Sequence, residues 1–202
     1  MTLGSSLSLT DIINIPTTVP VFTTVIENWK EMNLKEYVLN YEKNYPKRLD
    51  TNVKAWRSGW QIHKSDQIFK NLADLISTVC GDISEVHYKL RVDFNTTHLW
   101  AMHYREGEEA VWHDHWPSDF SGTYYVDVEG DSSPIVFEGG IEVKPKNGMM
   151  LIFPSTLKHT VPPTKKERIA IGFNLDKEAR PPDLPDEIAS IIKSIPQMLA
   201  AS

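Results

Sequence analysis

Residues 112–126 read WHDHWPSDFSGTYYV, and the interpretation of this stretch sets the interpretation of the chain. Its second half, SGTYYV, has the look of a strand. Its first half carries His113 and His115, two residues apart. Side chains two apart on a strand point to the same face, and imidazole is the commonest metal ligand among side chains. Such a pair could grip one metal ion if a third ligand arrives from elsewhere. His159, in GMMLIFPSTLKHTVPP at 148–163, is the candidate, and nine residues later Arg168 opens the strand-like run RIAIGFNL at 168–175.

Working outward, a period of two runs through 86–175. VHYKLRVDF at 86–94, HLWAMHYRE at 98–106 and EEAVWHDHW at 108–116 precede SGTYYVDVE at 121–129. SPIVFEGGIEV at 133–143, GMMLIFPS at 148–155 and RIAIGFNL follow. These seven runs are separated by short turns holding Gly, Pro, Asp and Lys. No helical crossover separates them, so the sheet is expected to be mainly antiparallel. A double-sheet jelly roll, a mainly β fold with N-terminal helices, fits the count and spacing.

Upstream, residues 1–14 are weakly patterned and are expected to be poorly ordered. IPTTVPVFTTVI at 15–26 is rich in β-branched residues, but Pro16 and Pro20 demote its first half to an edge strand or extended lead-in. Asn33 is the expected N-cap of a helix carrying Leu34, Tyr37, Val38, Tyr41 and Tyr45 at helical spacing, stopped by Pro46. Trp56 and Trp60 fall in a loop, as core plugs or as a lid over a pocket, with the core role preferred. Ser65 or Asp66 caps a second helix with Phe69, Leu72, Leu75, Ile76 and Val79 inward, and Gly81 is expected to end it. Cys80 is expected to be a small buried hydrophobe. Downstream, ARPPDLPDE at 179–187 is a Pro-rich connector, and 187–195 reads as an amphipathic helix with Ile188, Ile191, Ile192 and Ile195 on one side. That helix covers the sheet or contacts a second subunit, which leaves a homodimer open. The expectation is one domain over 1–202, with support elements at 1–85, a β core at 86–176 and the C-terminal connector and helix at 177–202.

The totals narrow the function. A length of 202 residues is ample for one core. A net charge of -6 argues against a nucleic-acid or anionic-membrane partner. A single cysteine excludes an internal disulfide and suits a reducing compartment. No apolar run approaches the ~20 residues of a membrane span, and the N-terminus shows no basic region followed by an apolar core. The cytoplasm is the expected location, and the expected partner is a small-molecule or peptide substrate.

Three histidine nitrogens would leave the opposite side of a metal open, as in the facial triad of non-haem iron sites, which normally has one carboxylate. On a regular strand Asp114 points away from His113, so His115 is preferred as second ligand; a bulge would reverse that. The bland alternative is HDH as a polar loop with His159 packed in the core. Arg168, Ala170, Gly172 and Asn174 share one strand face, where small residues leave room. A buried arginine must find an anion, and the far carboxyl of a dicarboxylate suits its two-pronged geometry. The alternative is a surface arginine beside Lys165, Lys166 and Glu167.

Residues 104–174 resemble the 2-oxoglutarate- and Fe(II)-dependent oxygenases, in particular the prolyl-4-hydroxylase-like branch. The likeness is carried by Tyr104, Gly107 and His113 in HYREGEEAVWHDH, by the strand SGTYYV, by NGMMLIFPSTLKHTV leading to His159, and by Arg168. SGWQIHK at 58–64 is similar to a subgroup of small bacterial and phage members with undefined substrates. The resemblance implies a double-stranded β-helix that holds Fe(II) on His113 and His159 and anchors 2-oxoglutarate on Arg168. It further implies that Tyr125 bonds the same carboxylate and that Tyr104, with Asn174 on the Arg168 face, lines the pocket. The implied activity is O2-dependent hydroxylation of a peptidyl proline or a small metabolite, with 2-oxoglutarate decarboxylated to succinate. The chain departs from the family at His115, which stands where an Asp or Glu is usual. A three-His dioxygenase without 2-oxoglutarate and a non-catalytic jelly-roll binding module are the competing expectations. Trp112 and Trp116, flanking the histidines, are expected at the substrate mouth or in barrel packing.

Overall fold

The structure is a computed structural model and describes residues 18–28, 30–46, 51–128, 130 and 132–178. The expectations for 1–14 and 179–202 lie outside the described residues.

Among the described residues ten strands form two antiparallel sheets. The larger sheet has six: β1 (Phe22–Val25), β2 (Trp56–Arg57), β3 (Phe94–Tyr104), β5 (Phe120–Val128), β8 (Met149–Pro154) and β10 (Arg168–Lys177), in the order β1-β8-β5-β10-β3-β2. The smaller sheet has β4 (Ala110–His113), β6 (Ile135–Phe137), β7 (Ile141–Val143) and β9 (His159–Val161), in the order β4-β9-β6-β7. This is the expected jelly roll; β1, at the edge of the larger sheet, comes from the second half of 15–26, while residues 18–21 of its first half lead in without strand pairing. Because side chains alternate along β3, β5 and β10, each feeds two cores. Leu99, Tyr124, Ile171 and Phe173 face α1 (Leu34–Asn44) and α2 (Gln67–Tyr88), among Val38, Phe69, Leu72 and Ile76. Trp100, Met102, Tyr104, Tyr125 and Ala170 face the smaller sheet, among Phe137, Phe153 and Val161. Full burial of each large apolar side chain contributes roughly 1.5–3 kcal/mol.

The helix starts follow the sequence, with one difference of mechanism. Asp66 caps α2, its carboxylate accepting from the Ile68 N–H at 2.9 Å and the Phe69 N–H at 3.4 Å. Asn33 occupies the N-cap of α1 without a side-chain bond; it is used for its left-handed backbone, φ 50°, which Asn tolerates better than most residues. Trp56 is a core plug, 1% exposed, and its indole N–H donates to the Tyr45 carbonyl at 2.9 Å.

Two expectations fail together. Gly81 does not end α2, which runs on to Tyr88 and is capped by Lys89 at φ 59°. The glycine serves instead as a crossing point, since a Cβ there would press on the Val92 carbonyl and the Arg91 guanidinium. The Ser84 hydroxyl donates to the Gly81 carbonyl at 2.7 Å and accepts from the Val92 N–H at 2.9 Å, folding 89–93 back over the last turns. The run 86–94 is therefore not a strand. Its alternating Val86, Tyr88 and Leu90 are exposed, and only Phe94 opens β3. Among the described residues no helix is long and apolar enough to cross a membrane.

A candidate three-histidine metal centre beside a buried arginine

The three histidines converge. His113 and His159 are cross-strand partners of β4 and β9, and their ring centroids are 4.3 Å apart. The His115 ring stands 5.0 Å from His113 and 5.2 Å from His159. One ligand atom from each residue lies within 4.8 Å of the others. His115 reaches the cluster by a different route from the one strand alternation suggested. β4 stops at His113, and His115 sits in the following turn, where its N–H donates to the Ser155 carbonyl at 2.8 Å. Asp114 is exposed and turned to its own loop, its carboxylate accepting from the Trp116 N–H at 3.2 Å.

The protonation pattern suits metal ligation. Nδ1 of His113 donates to the Val111 carbonyl at 2.7 Å, and Nδ1 of His159 donates to the Leu157 carbonyl at 3.0 Å. A ring whose Nδ1–H is engaged presents the lone pair of Nε2. Burial, followed by the neighbouring rings, pushes His115 down to about 2 and His159 down to about 4. Burial also lowers His113, partly offset by the Val111 carbonyl and Asp114. All three imidazoles are thus neutral near pH 7, as a metal ligand must be. The donor set fits a transition-metal ion such as Fe(II).

The three histidines line a cleft between the sheets that also holds Trp60, Trp100, Tyr104, Thr123, Tyr125 and Arg168. Arg168 is 2% exposed. Its guanidinium carbon lies 5.0 Å from the Tyr104 ring and 5.3 Å from the Tyr125 ring. One N–H donates to the Ser133 carbonyl at 2.9 Å, and Nε has no partner. The Tyr125 hydroxyl, the Thr123 hydroxyl and the Trp100 indole N–H are likewise buried without partners. Burial pushes Tyr104 up to about 12, with the Arg168 charge opposing it. Four unmatched polar atoms in one cleft are unusual, because buried polar groups are normally paired. They form a cradle with which a polar, anionic ligand could pair.

Register explains the cradle. Arg168 pairs with Tyr104 on β3, Ala170 with Met102 and with Tyr125 on β5, and Gly172 with Trp100 and Thr123. Gly172 is required by close approach, since a Cβ there would overlap the Trp100 indole. Asn174 shares this face but is not among the cleft residues; six residues of strand carry it roughly 20 Å from Arg168. Thr123 and Trp100 were not singled out from the sequence, although each lies at an even spacing from Tyr125 or Tyr104 on the same strand. Trp60 lines the cleft and so departs from the core role preferred for it. Trp112 and Trp116 are exposed, not packed in the barrel.

No family model and no curated protein matches the chain. Solved structures do. A prolyl-4-hydroxylase from Pseudomonas putida superposes with a TM-score of 0.62 at 14% identity, covering 80% of this chain and 95% of that one. The chain has the fold of the 2-oxoglutarate- and Fe(II)-dependent oxygenases. HygX from Streptomyces hygroscopicus, solved with nickel and 2-oxoglutarate, matches at TM-score 0.60 and 11% identity over 80% of this chain and 84% of that one. A prolyl hydroxylase from Trichoplax adhaerens, solved with a hypoxia inducible factor peptide fragment, matches at TM-score 0.58 and 18% identity, covering 78% and 84%. The oxygenase fold brings β3, β5 and β10 of this chain beneath the histidine cluster of its smaller sheet.

Proposed function

We propose that the chain is an Fe(II)- and 2-oxoglutarate-dependent oxygenase that hydroxylates its substrate. The observation that carries this reading is one cleft holding three neutral imidazoles and a buried guanidinium without a carboxylate partner among the described residues. In this reading His113, His115 and His159 hold Fe(II). Iron and 2-oxoglutarate supply the chemistry when bound: O2 is reduced as 2-oxoglutarate is oxidised to succinate and CO2, and the substrate gains a hydroxyl. The chain's own contribution is binding and positioning. Arg168 meets the far carboxylate of 2-oxoglutarate through its free Nε, and the Tyr125 and Thr123 hydroxyls donate to the same ligand. Tyr104 walls the guanidinium from water, which strengthens its hold on an anion. Phe153, Val161 and Ala110 keep the space between cradle and cluster apolar. Three neutral ligands leave the ion's full charge of two in place, so the anionic co-substrate supplies the neutralisation that a carboxylate ligand otherwise provides.

Anaerobic titration of the apo-protein with Fe(II) and then 2-oxoglutarate tests this reading. A visible charge-transfer band is expected only when both are present. Arg168→Gln is expected to weaken 2-oxoglutarate binding by at least about 100-fold, in line with the ~2–5 kcal/mol cost of breaking a buried charge pair, and to leave Fe(II) affinity unchanged. Iron binding without a band, with O2 uptake independent of 2-oxoglutarate, would favour the three-His dioxygenase. No metal binding at all would favour a binding module.

A further inference from the structure

Arg57 is a second buried arginine of the same sheet face, and the proposed chemistry does not use it. β2 pairs with β3 so that Arg57 stands opposite Met102, a cleft residue. Cross-strand partners share a face, so Arg57, Met102, Ala170 and Tyr125 form one row across the cleft side of the larger sheet. At ~4.8 Å per strand the row is roughly 14 Å long. Tyr125, beside Arg168, is its inner end and Arg57 its outer end.

Arg57 is 2% exposed. One N–H donates to the adjacent Ser58 carbonyl at 2.8 Å, Nε has no partner, and the guanidinium carbon lies 3.7 Å from the centre of the Trp60 ring. No carboxylate pairs with it among the described residues, and burial alone lowers its pKa from the ordinary arginine value. An uncompensated buried cation is costly, and another buried basic side chain of this sheet does have acidic partners: His103 has a carboxylate on each ring nitrogen, Glu42 and Glu167. Trp60 is 39% exposed and lines the cleft. Its ring is 4.8 Å from Trp100, whose ring is 5.7 Å from His115. A continuous wall of planar side chains therefore runs from Arg57 to the histidine cluster.

We propose that Arg57 anchors a carboxylate of the substrate, and that the substrate is a small free acid whose apolar or planar body lies along Trp60 and Trp100. The proposal rests on the oxygenase reading of the cleft. A guanidinium offers paired donors that match a carboxylate. Arg57 is not itself among the residues lining the cleft but lies against the Trp60 ring; with that ring displaced, two acids are held by two arginines on either side of β3, which keeps their charges apart. An internal peptide segment has no terminal carboxylate, and one without an acidic side chain would leave Arg57 unmatched. Trp60 covers Arg57 and must swing aside. The Leu99 N–H donates to the Trp60 carbonyl at 2.8 Å and pins the backbone there, so the movement is a rotation of the indole about its own side-chain bonds.

The test uses L-amino acids, benzoate and indole carboxylates, each beside its carboxamide. Succinate formation by the Fe(II) and 2-oxoglutarate-loaded protein reads turnover. Quenching of tryptophan fluorescence, which needs no iron, reads binding. At least one acid is expected to bind and turn over with kcat/KM about 30-fold or more above its amide, the scale of a broken buried charge pair. Arg57→Gln is expected to erase that preference, and Arg57→Lys to restore part of it. Both variants are expected to keep the Fe(II)–2-oxoglutarate band and the melting temperature. Acid and amide behaving alike, silence across the panel, or turnover of a prolyl peptide amide alone would overturn the proposal. Loss of the band in Arg57→Gln would overturn it too, by assigning the guanidinium to the co-substrate. A wild-type protein with no band, but with Arg57-dependent quenching by acids, would fail the oxygenase reading and keep the anion site.

Discussion

The two faces of the six-stranded sheet are built from the same strands and obey different rules. β10 sends Ile169, Ile171, Phe173 and Leu175 toward the helices, each at most 2% exposed. Polar groups at the centre of that side find partners within the chain: the Thr96 hydroxyl donates to the Ala73 carbonyl at 3.0 Å, and His103 is held by Glu42 at 2.5 Å and by Glu167, while His63 Nδ1, at the periphery beside α2, is buried without one. The alternate residues of β10 face the cleft, where the polar atoms of Arg168, Tyr125, Thr123 and Trp100 lack partners. The centre of one face completes its interactions within the chain, and the other gathers unmatched polar atoms around one cleft. The histidines repeat the contrast, one with two carboxylates on the helix side and three with none in the cleft.

Breaking the helix side is expected to cost the most. Phe173 is fully buried, and Phe173→Ala removes its packing and leaves a cavity, for about 3–5 kcal/mol. For a chain of this size that lowers the melting temperature by on the order of 10 °C. Metal affinity of the folded protein is expected to be unchanged, because Phe173 points away from the histidines. Thermal unfolding beside metal titration at low temperature checks both halves. Loss of metal affinity in the folded variant would show that the two faces are coupled.

The cleft is expected to respond to pH in a way the helix side does not. His113, His115 and His159 all titrate below the ordinary 6.5 in the folded protein. Above pH 6.5 both folded and unfolded chains hold them neutral, so they contribute nothing to the pH dependence. Below it the unfolded chain takes up protons that the folded cleft resists, and stability falls by up to about 1.4 kcal/mol per pH unit for each proton not taken up. The loss levels off only near pH 4 for His159 and near pH 2 for His115. Melting of the apo-protein between pH 6.5 and 5, above the carboxylate range, is the measurement. A falling curve that is shallower in His115→Asn supports the burial of these rings, and a flat wild-type curve refutes it.

How much of this was legible in the sequence follows from the range of each signal. Alternation is local, so the jelly roll and both sides of β10 could be read directly, whereas the burial of Arg168 could not, because Lys165, Lys166 and Glu167 beside it read equally as a surface turn. Asp66 as a cap could be read for the same reason. The course of α2 past Gly81 could not, because it depends on Ser84 and the returning 89–93 segment. Asn174 shares the Arg168 face, yet periodicity says nothing of how far along a strand a pocket extends. Arg57 was silent because its meaning lies in what is missing around it, and an absent carboxylate leaves no mark on the residues beside it in sequence.

The smallest effect is expected at Asp114, and it decides what kind of metal site this is. Asp114 is exposed and its carboxylate accepts the Trp116 N–H. Asn keeps that acceptor, so Asp114→Asn is expected to change Fe(II) affinity by no more than about twofold, whereas His115→Asn, which removes a ligand nitrogen, is expected to weaken it by at least about 10-fold. Titration of the two variants side by side separates a neutral three-imidazole site from one with a carboxylate. If Asp114→Asn abolished iron binding, the 114–116 turn would have to rearrange around the ion, His115 would return to the cleft wall, and the cluster would carry one negative charge. The co-substrate would then meet a less positive metal, and the cradle around Arg168 would have to supply more of its binding.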